Sequence, residues 1–573
     1  MRSWENSKTQ GNEAFRAGKY QDAIEAYTNA VVSISGYPSL TDSQVASSSN
    51  RIVSIQLDPS LIDVYVTLLS NRSAAFLKVG SYQFARHDAK QALKLAPSNE
   101  KAQFRLASAL FHLGSYSKAL DVLRTMQSKS DEEILNLMRQ VLVCVVENQT
   151  GDYDIAKIEA EEPKYSRLSH ANYCSRAIEL RASEIGGVGG RGIFSNAIIP
   201  QGTLLVASKA IACGFQDELG SPELKRALQI VKHCGQTPSK VALVNQIFTY
   251  LGEGRGRAIL NLEGGGRQEL DVDLHRDDVY DEIASVPTVS LDRLEDLVRR
   301  NSFGIEKPVR NGSSQGIAVY HVPSFFNHSC MPNTVHYHIG DMIFIVSSTT
   351  IPANNEIFLT YYPFQTNSVQ ERNSKLQNRA GGFSCCCGLC QFETGNGSIV
   401  GPAAKLVKNM AEKFKAPRWK GSTKALKEAR RYLFECFDLP IPEYDKQKIP
   451  IFDTKAPRKF SLAKLLLPLL QMAQSSLPEH AYAERIPYLA EIHALMKDNL
   501  HFACDKPLEA PELTMSIWSY HHRRSHPRIA TLWLEELKSI CSLIGGKKFY
   551  VGKFLPLVNE EIARHPSKES RDA

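Results

Sequence analysis

The feature that most restricts the fold of this chain is a 34-residue echo near its N-terminus. Gly80 and Gly114, Tyr82 and Tyr116, and Ala85 and Ala119 are each separated by that interval. The segments NRSAAFLKVGSYQFARHDAKQALKLAP and RLASALFHLGSYSKALDVL carry small residues where paired helices must touch, and a Gly-x-Tyr turn joins each pair. An earlier unit, GNEAFRAGKYQDAIEAYTNAV, has the same turn at Gly18–Tyr20. It lies out of phase because the Ser-rich stretch SGYPSLTDSQVASSSN lengthens the connection after it. A period of this length suits stacked helix pairs, in which no unit buries its apolar face alone. The sequence predicts three such repeats and a capping helix near 131–147, an all-α region over residues 1–150.

This pattern resembles the tetratricopeptide repeats. It is similar to the subset in chaperone-binding adaptors, where a two-carboxylate clamp grips the acidic C-terminal tail of a heat-shock chaperone. The resemblance implies that Lys8, Asn12, Asn71, Lys101 and Arg105 form the clamp. Lys8 and Asn12, like Lys101 and Arg105, are four residues apart and so share a helix face. A terminal carboxylate plus an aspartate side chain needs several charge-assisted donors at once.

A chain of 573 residues exceeds one ordinary core, so about three domains are expected. With 43% hydrophobic and 23% charged residues, wholesale disorder is excluded. A net charge of +7 is too small for a dedicated nucleic-acid binder, and no direct nucleic-acid partner is expected. MRSWENSKTQGNEAF has no apolar signal region, and apolar runs such as LAKLLLPLLQMA are too short to span a membrane. The reading is a protein of the cytoplasm, the nucleus or both. Its 12 cysteines would then be mostly reduced or metal-bound, and four of them crowd into Cys385–Cys390.

The middle third holds the reactive-looking stretch VPSFFNHSCMPNTVHY, residues 322–337. By residue type alone, Cys330 there could be a nucleophile, a metal ligand or a core thiol. Upstream, IELRASEIGGVGGRGIFSNAIIPQGTLLV has a glycine cluster between strand-like segments. No Gly-Lys-Ser/Thr follows it, so it is not a P-loop, and IIPQG interrupts any Rossmann helix. Taken in order, GRGIF at 190–194, NHSCMPN at 327–333, EIFLTYY at 356–362 and FSCCCGLC at 383–390 resemble the SET-domain protein lysine methyltransferases. The likeness is greatest to the SET-and-MYND type, which pairs the core with a cysteine-rich post-SET segment.

The resemblance implies a mainly β SET domain over residues 165–393 and S-adenosyl-L-methionine as methyl donor. Gly190, Arg191, Gly192 and Ile193 would lay backbone against the donor, with contacts from Asn301. Asn327 and His328 would hold its amino-acid and adenine portions, partly through backbone atoms, and Phe383 would stack on the adenine. Tyr361 is the implied catalytic residue, with Tyr362 as its neighbouring rival, since strand alternation turns only one of them inward. Cys385, Cys387 and Cys390 give three closely spaced thiolates, and the resemblance supplies Cys330 as fourth ligand of a structural Zn2+. Cys386 leaves the register ambiguous. Cys330 is thus expected to reach away from the chemistry, towards the metal.

Two departures stand out. Segment 207–300 has only Cys213 and Cys234, so the MYND zinc module is absent, and a helical insertion including ELKRALQIVKHCG is expected instead. Asn354 and Asn355 replace a Gly-Glu pair, and Asn354 can adopt the left-handed turn that glycine would. Residues 400–573 read as an all-helical domain from the apolar spacing of TKALKEARRYLFECF, RIPYLAEIHALMKDNL and IATLWLEELKSICSLIG. The whole is a multidomain α plus β chain. Its expected function is protein-lysine N-methyl transfer to a histone or non-histone protein, the repeats recruiting a partner or substrate. The rival is a non-catalytic adaptor built on a degenerate SET scaffold.

Overall fold

The computed structural model describes residues 3–35, 58–127, 131–162, 168–183, 185, 190–215, 300–309, 312–362, 368–378, 382–414, 423–441, 448, 450–475, 477, 481–503, 507–524 and 526–566. The N-terminal region is three antiparallel helix pairs and a cap. These are α1 (Ser3–Arg16) with α2 (Tyr20–Ser35), α3 (Ile62–Lys78) with α4 (Tyr82–Leu95), and α5 (Glu100–His112) with α6 (Tyr116–Thr125), followed by α7 (Glu132–Thr150). Gly18, Gly80 and Gly114 turn each pair at φ 73°, 77° and 80°, a left-handed conformation costly for any residue with a Cβ. That need explains the repeated Gly-x-Tyr. Ala85, Ala89, Ala92, Ala102 and Ala119 are fully buried where the helices meet. Arg72 of α3 pairs with the buried Asp88 of α4 through two hydrogen bonds, of 2.7 and 2.8 Å.

A short helix, α8 (Ile155–Glu161), leads into the β region. Three sheets follow. The first orders β1 (Tyr173–Cys174), β4 (Leu204–Lys209), β10 (Met342–Ser347) and β9 (Thr334–Ile339). The second orders β2 (Ile178–Ser183), β3 (Gly190–Ser195), β11 (Glu356–Leu359) and β8 (Asn327–His328). The third orders β5 (Ala212–Phe215), β7 (Gly312–Val319) and β6 (Ser302–Val309). The expected helical insertion therefore cannot start at residue 207. Residues 207–209 continue β4 against β10, and β5 pairs with β7 from Ala212↔Val319 to Phe215↔Gly316. Ladder pairing decides that stretch. The ELKRALQIVKHCG helix and the rest of the insertion through residue 299 lie outside the described residues.

Strand β10, MIFIVS, is buried along its whole length. Its side chains alternate between two cores: Met342, Phe344 and Val346 face one, Ile343 and Ile345 the other. The second core lies among the sheets. The first is continuous with helices α11 (Gly397–Phe414), α12 (Thr423–Cys436), α13 (Pro457–Ser475), α14 (Tyr482–Asp498), α15 (Ala510–Arg523), α16 (Pro527–Phe549) and α17 (Leu555–Arg564). The C-terminal helices thus cover one sheet face; burial on both faces suits the five apolar residues Met342 to Val346. The cysteine-rich segment runs between α9 (Val369–Gln377) and α10 (Gly388–Gly395), with Cys390 inside α10. No described helix is long and apolar enough to cross a membrane.

Candidate active site and metal centre

The site is assembled by one parallel pairing. β8 and β11 run side by side, Asn327 opposite Phe358 and His328 opposite Leu359. Parallel strands end on the same side of a sheet. His328 at the end of β8 and Tyr361 just beyond β11 therefore emerge together. On its other edge β11 pairs with β3, Ile357 opposite Ile193, which brings the GRGIF strand alongside. Asn354 turns into β11 at φ 62°, as expected of an asparagine in place of glycine.

The backbone N–H of Tyr361 donates to His328 Nδ1 at 3.0 Å, and its hydroxyl donates to the Phe326 carbonyl at 2.8 Å. Phe383 meets both rings edge-on, 6.2 Å from Tyr361 and 6.0 Å from His328. Tyr362 points elsewhere: its hydroxyl donates to the Lys375 carbonyl in α9. Alternation at the strand end thus separates the two tyrosines. Asn301 stands immediately before β6, half-buried.

Gly192 carries a steric requirement. A Cβ there would fall 2.1 Å from Glu356 Oε1 and 2.8 Å from Asn327 Nδ2. The missing side chain makes room for the Glu356 carboxylate and the Asn327 amide, which pack directly against the β3 backbone. Asn327 Nδ2 donates to the Arg191 carbonyl at 2.9 Å and to Glu356 Oε1 at 2.7 Å. Ser183 Oγ donates to the same carboxylate at 2.9 Å. The Nδ2 end of the amide is thus engaged in holding β3. Glu356 and Ser183 give no signal in the sequence, because a lone glutamate in a strand reads as solvent-facing.

The four predicted ligands converge. The sulfurs of Cys330, Cys385, Cys387 and Cys390 all lie within 4.8 Å of one another, with Cys330 and Cys390 at 3.6 Å. A tetrahedron of sulfurs at about 2.3 Å from zinc has edges of about 3.8 Å. The donor set and its spacing fit Zn2+. Cys386 is exposed, which settles the register. Hydrogen bonding with Cys330 pulls Cys387 below the ordinary thiol range and Cys390 down to about 7, while hydrogen bonding with Cys385 pushes Cys330 up. Such mutual opposition is what a cation among four thiolates would relieve.

Behind the sulfurs lies a buried ionic chain. Arg372 Nη2 donates to Cys390 Sγ at 3.5 Å and to Glu393 Oε2 at 2.8 Å. Glu393 Oε1 in turn accepts from Ser461 Oγ at 2.8 Å and from Lys464 Nζ at 2.5 Å. The Lys464 and Glu393 side chains are 4% and 2% exposed. Ser461 and Lys464 belong to α13, so the C-terminal helices are linked to the cysteine cluster through Glu393 and Arg372.

In the repeats, Asn12 of α1 and Asn71 of α3 meet, Asn71 Nδ2 donating to Asn12 Oδ1 at 3.3 Å. Tyr27 donates to the same oxygen at 2.9 Å. Arg105 Nη1 donates to Ser70 Oγ. Lys8, Asn12, Asn71 and Arg105 are half-buried and Lys101 is exposed, all on the first helices of the three pairs.

Residues 190–362 match the SET domain family model, and residues 72–133 match the tetratricopeptide repeat model. A Gibberella zeae protein named methyltransferase is 27% identical over 330 residues, 53% of this chain and 43% of its own length. Histone-lysine N-methyltransferase ASHR2 of Arabidopsis thaliana is 29% identical over 104 residues, 16% of this chain and 26% of its own. Small glutamine-rich tetratricopeptide repeat-containing protein 2 of Mycosarcoma maydis is 37% identical over 117 residues, 20% of this chain and 25% of its own. The matched stretches span less than half the length of these curated relatives. The chain combines tetratricopeptide repeats, a SET domain with a cysteine cluster able to bind zinc, and a helical C-terminal region.

Proposed function

We propose that this chain is a protein-lysine N-methyltransferase that uses S-adenosyl-L-methionine and contains structural zinc. The observation that carries the reading is the convergence of GRGIF, Asn327-His328 and Tyr361 through the β3–β11–β8 pairing. Bound there, S-adenosyl-L-methionine would supply an electrophilic methyl group. Backbone of Gly190, Arg191, Gly192, Ile193, Asn327 and His328 would hold it, with Asn301 beside and Phe383 against the adenine. Tyr361 would orient the incoming amine through its hydroxyl, and burial would favour the neutral amine. No nucleophilic thiol or carboxylate base is needed.

The repeats would recruit a protein ending in an acidic tail, as a heat-shock chaperone does, through Lys8, Asn12, Asn71, Lys101 and Arg105. The pairing of Asn12 with Asn71 supports this, because it presents carboxamides from two repeats at one place. A reducing cytoplasm or nucleus suits the four clustered thiols, which are free cysteines.

The test is transfer of labelled methyl groups to proteins of a whole-cell extract, with modified lysines located by mass spectrometry. Tyr361→Phe should keep donor affinity in calorimetry and lose about 100-fold in transfer rate. Full activity in that variant would sink the catalytic assignment. Failure of the wild-type chain to bind the donor would favour the adaptor reading.

A further inference from the structure

We infer that His328 is a positioning residue that ties the metal centre to Tyr361. The inference rests on the reading of Tyr361 as catalytic. Cys330 reaches towards the cysteine cluster as expected, and His328 adds a contact from its sulfur back towards Tyr361. His328 is buried, and each of its ring nitrogens faces one named group. Nδ1 takes the Tyr361 backbone N–H at 3.0 Å, and Nε2 lies 3.3 Å from Cys330 Sγ.

The protonation pattern follows from the partners. A backbone N–H only donates, so Nδ1 is the unprotonated nitrogen. In a neutral imidazole the proton is then on Nε2, aimed at the sulfur. A metal-held thiolate is the better acceptor for that proton, since charge on one partner about doubles the strength of a hydrogen bond. The ring is further fixed by its strand: His328 pairs with Leu359, and the N–H of Ser329 donates to the Leu359 carbonyl at 3.0 Å. Sulfur, imidazole and tyrosine backbone thus form one chain of contacts, which a metal held by Cys330 would extend. An outer hydrogen bond of this kind both orients a ligand and tunes the metal.

The test uses the full chain loaded with cobalt(II) in place of zinc, and three substitutions that divide the two hydrogen bonds. Asparagine can accept at the Nδ1 position but has no donor reaching the sulfur. Glutamine can donate at the Nε2 position but leaves the Tyr361 N–H without its acceptor. Phenylalanine keeps a ring and loses both. His328→Asn and His328→Phe should shift the sulfur-to-cobalt charge-transfer band and speed metal loss to a chelator about tenfold or more. His328→Gln should keep both near wild type. In methyl transfer, His328→Gln and His328→Phe should lower kcat more than they raise KM, and His328→Asn should retain the greater share of kcat. Unchanged spectra and chelation rates in the Asn and Phe variants would overturn the link, as would equal metal loss in Gln and Asn. The cobalt readouts need no turnover, so a chain that transfers no methyl group would sink the activity reading while the sulfur–imidazole bond is still read.

Discussion

The repeat groove and the cysteine centre are both polar clusters gathered from separated segments, but they sit in different surroundings. In the groove, Lys101 is exposed and its neighbours are half-buried. Water screens such charges, so each adds a modest amount that a ligand can use. In the centre, Glu393 and Lys464 are almost wholly buried, and each charge depends on the next. A surface cluster of this kind can lose a member and keep its fold; a buried one is held as a unit.

That contrast can be broken at either end. The largest effect is expected in the centre, from Cys387→Ser. Structural zinc contributes on the order of 10 kcal/mol in small zinc modules, so removing one ligand should abolish stoichiometric metal. Residues 382–395 should then lose protection, as read by metal analysis and hydrogen exchange. Glu393→Ala comes next. It leaves Arg372 and Lys464 without their shared carboxylate, which should cost about 3–5 kcal/mol in urea unfolding. A loss below 1 kcal/mol would mean that the ionic chain is as loose as a surface pair.

Lys101→Ala probes the groove. Stability should move by less than about 0.5 kcal/mol. Affinity for an acidic C-terminal peptide should fall about tenfold, and the loss should shrink as salt rises. Unchanged binding would remove Lys101 from the clamp. The smallest effect is expected between the two regions. His170 is half-buried, which alone would disfavour its charge, but Glu147 of α7 at 2.6 Å and Glu161 of α8 at 3.3 Å outweigh this and hold its pKa above the ordinary value. Its contribution is therefore complete below about pH 6.5 and is lost as pH rises through the folded value. Tm measured against pH should show a decline that His170→Gln removes.

Much of this was legible because some constraints are local. A left-handed turn needs glycine, or asparagine at a pinch, so the three turn glycines and Asn354 announced themselves. Metal spacing likewise marked Cys385, Cys387 and Cys390. Partners that act through burial were not legible. Arg372, Glu393 and Lys464 look in sequence like any solvated charges, and Glu356 like any exposed strand glutamate. Nor did the sequence show that Asn327 Nδ2 donates to the Arg191 carbonyl and to Glu356.

By itself the sequence marked the repeat architecture, through periodicity and turn chemistry, and the close spacing of Cys385, Cys387 and Cys390. Motif order gave the SET resemblance, and the resemblance implied Cys330 as the fourth sulfur and Tyr361 over Tyr362. Only the tertiary structure decided that His328 lies between Cys330 and Tyr361, that α13 is tied to the cysteine cluster through Glu393 and Arg372, and that the β region extends through Phe215. These depend on which distant segments exclude water together. A residue's charge and hydrogen-bond partners are set by that exclusion, which no stretch of chain records alone.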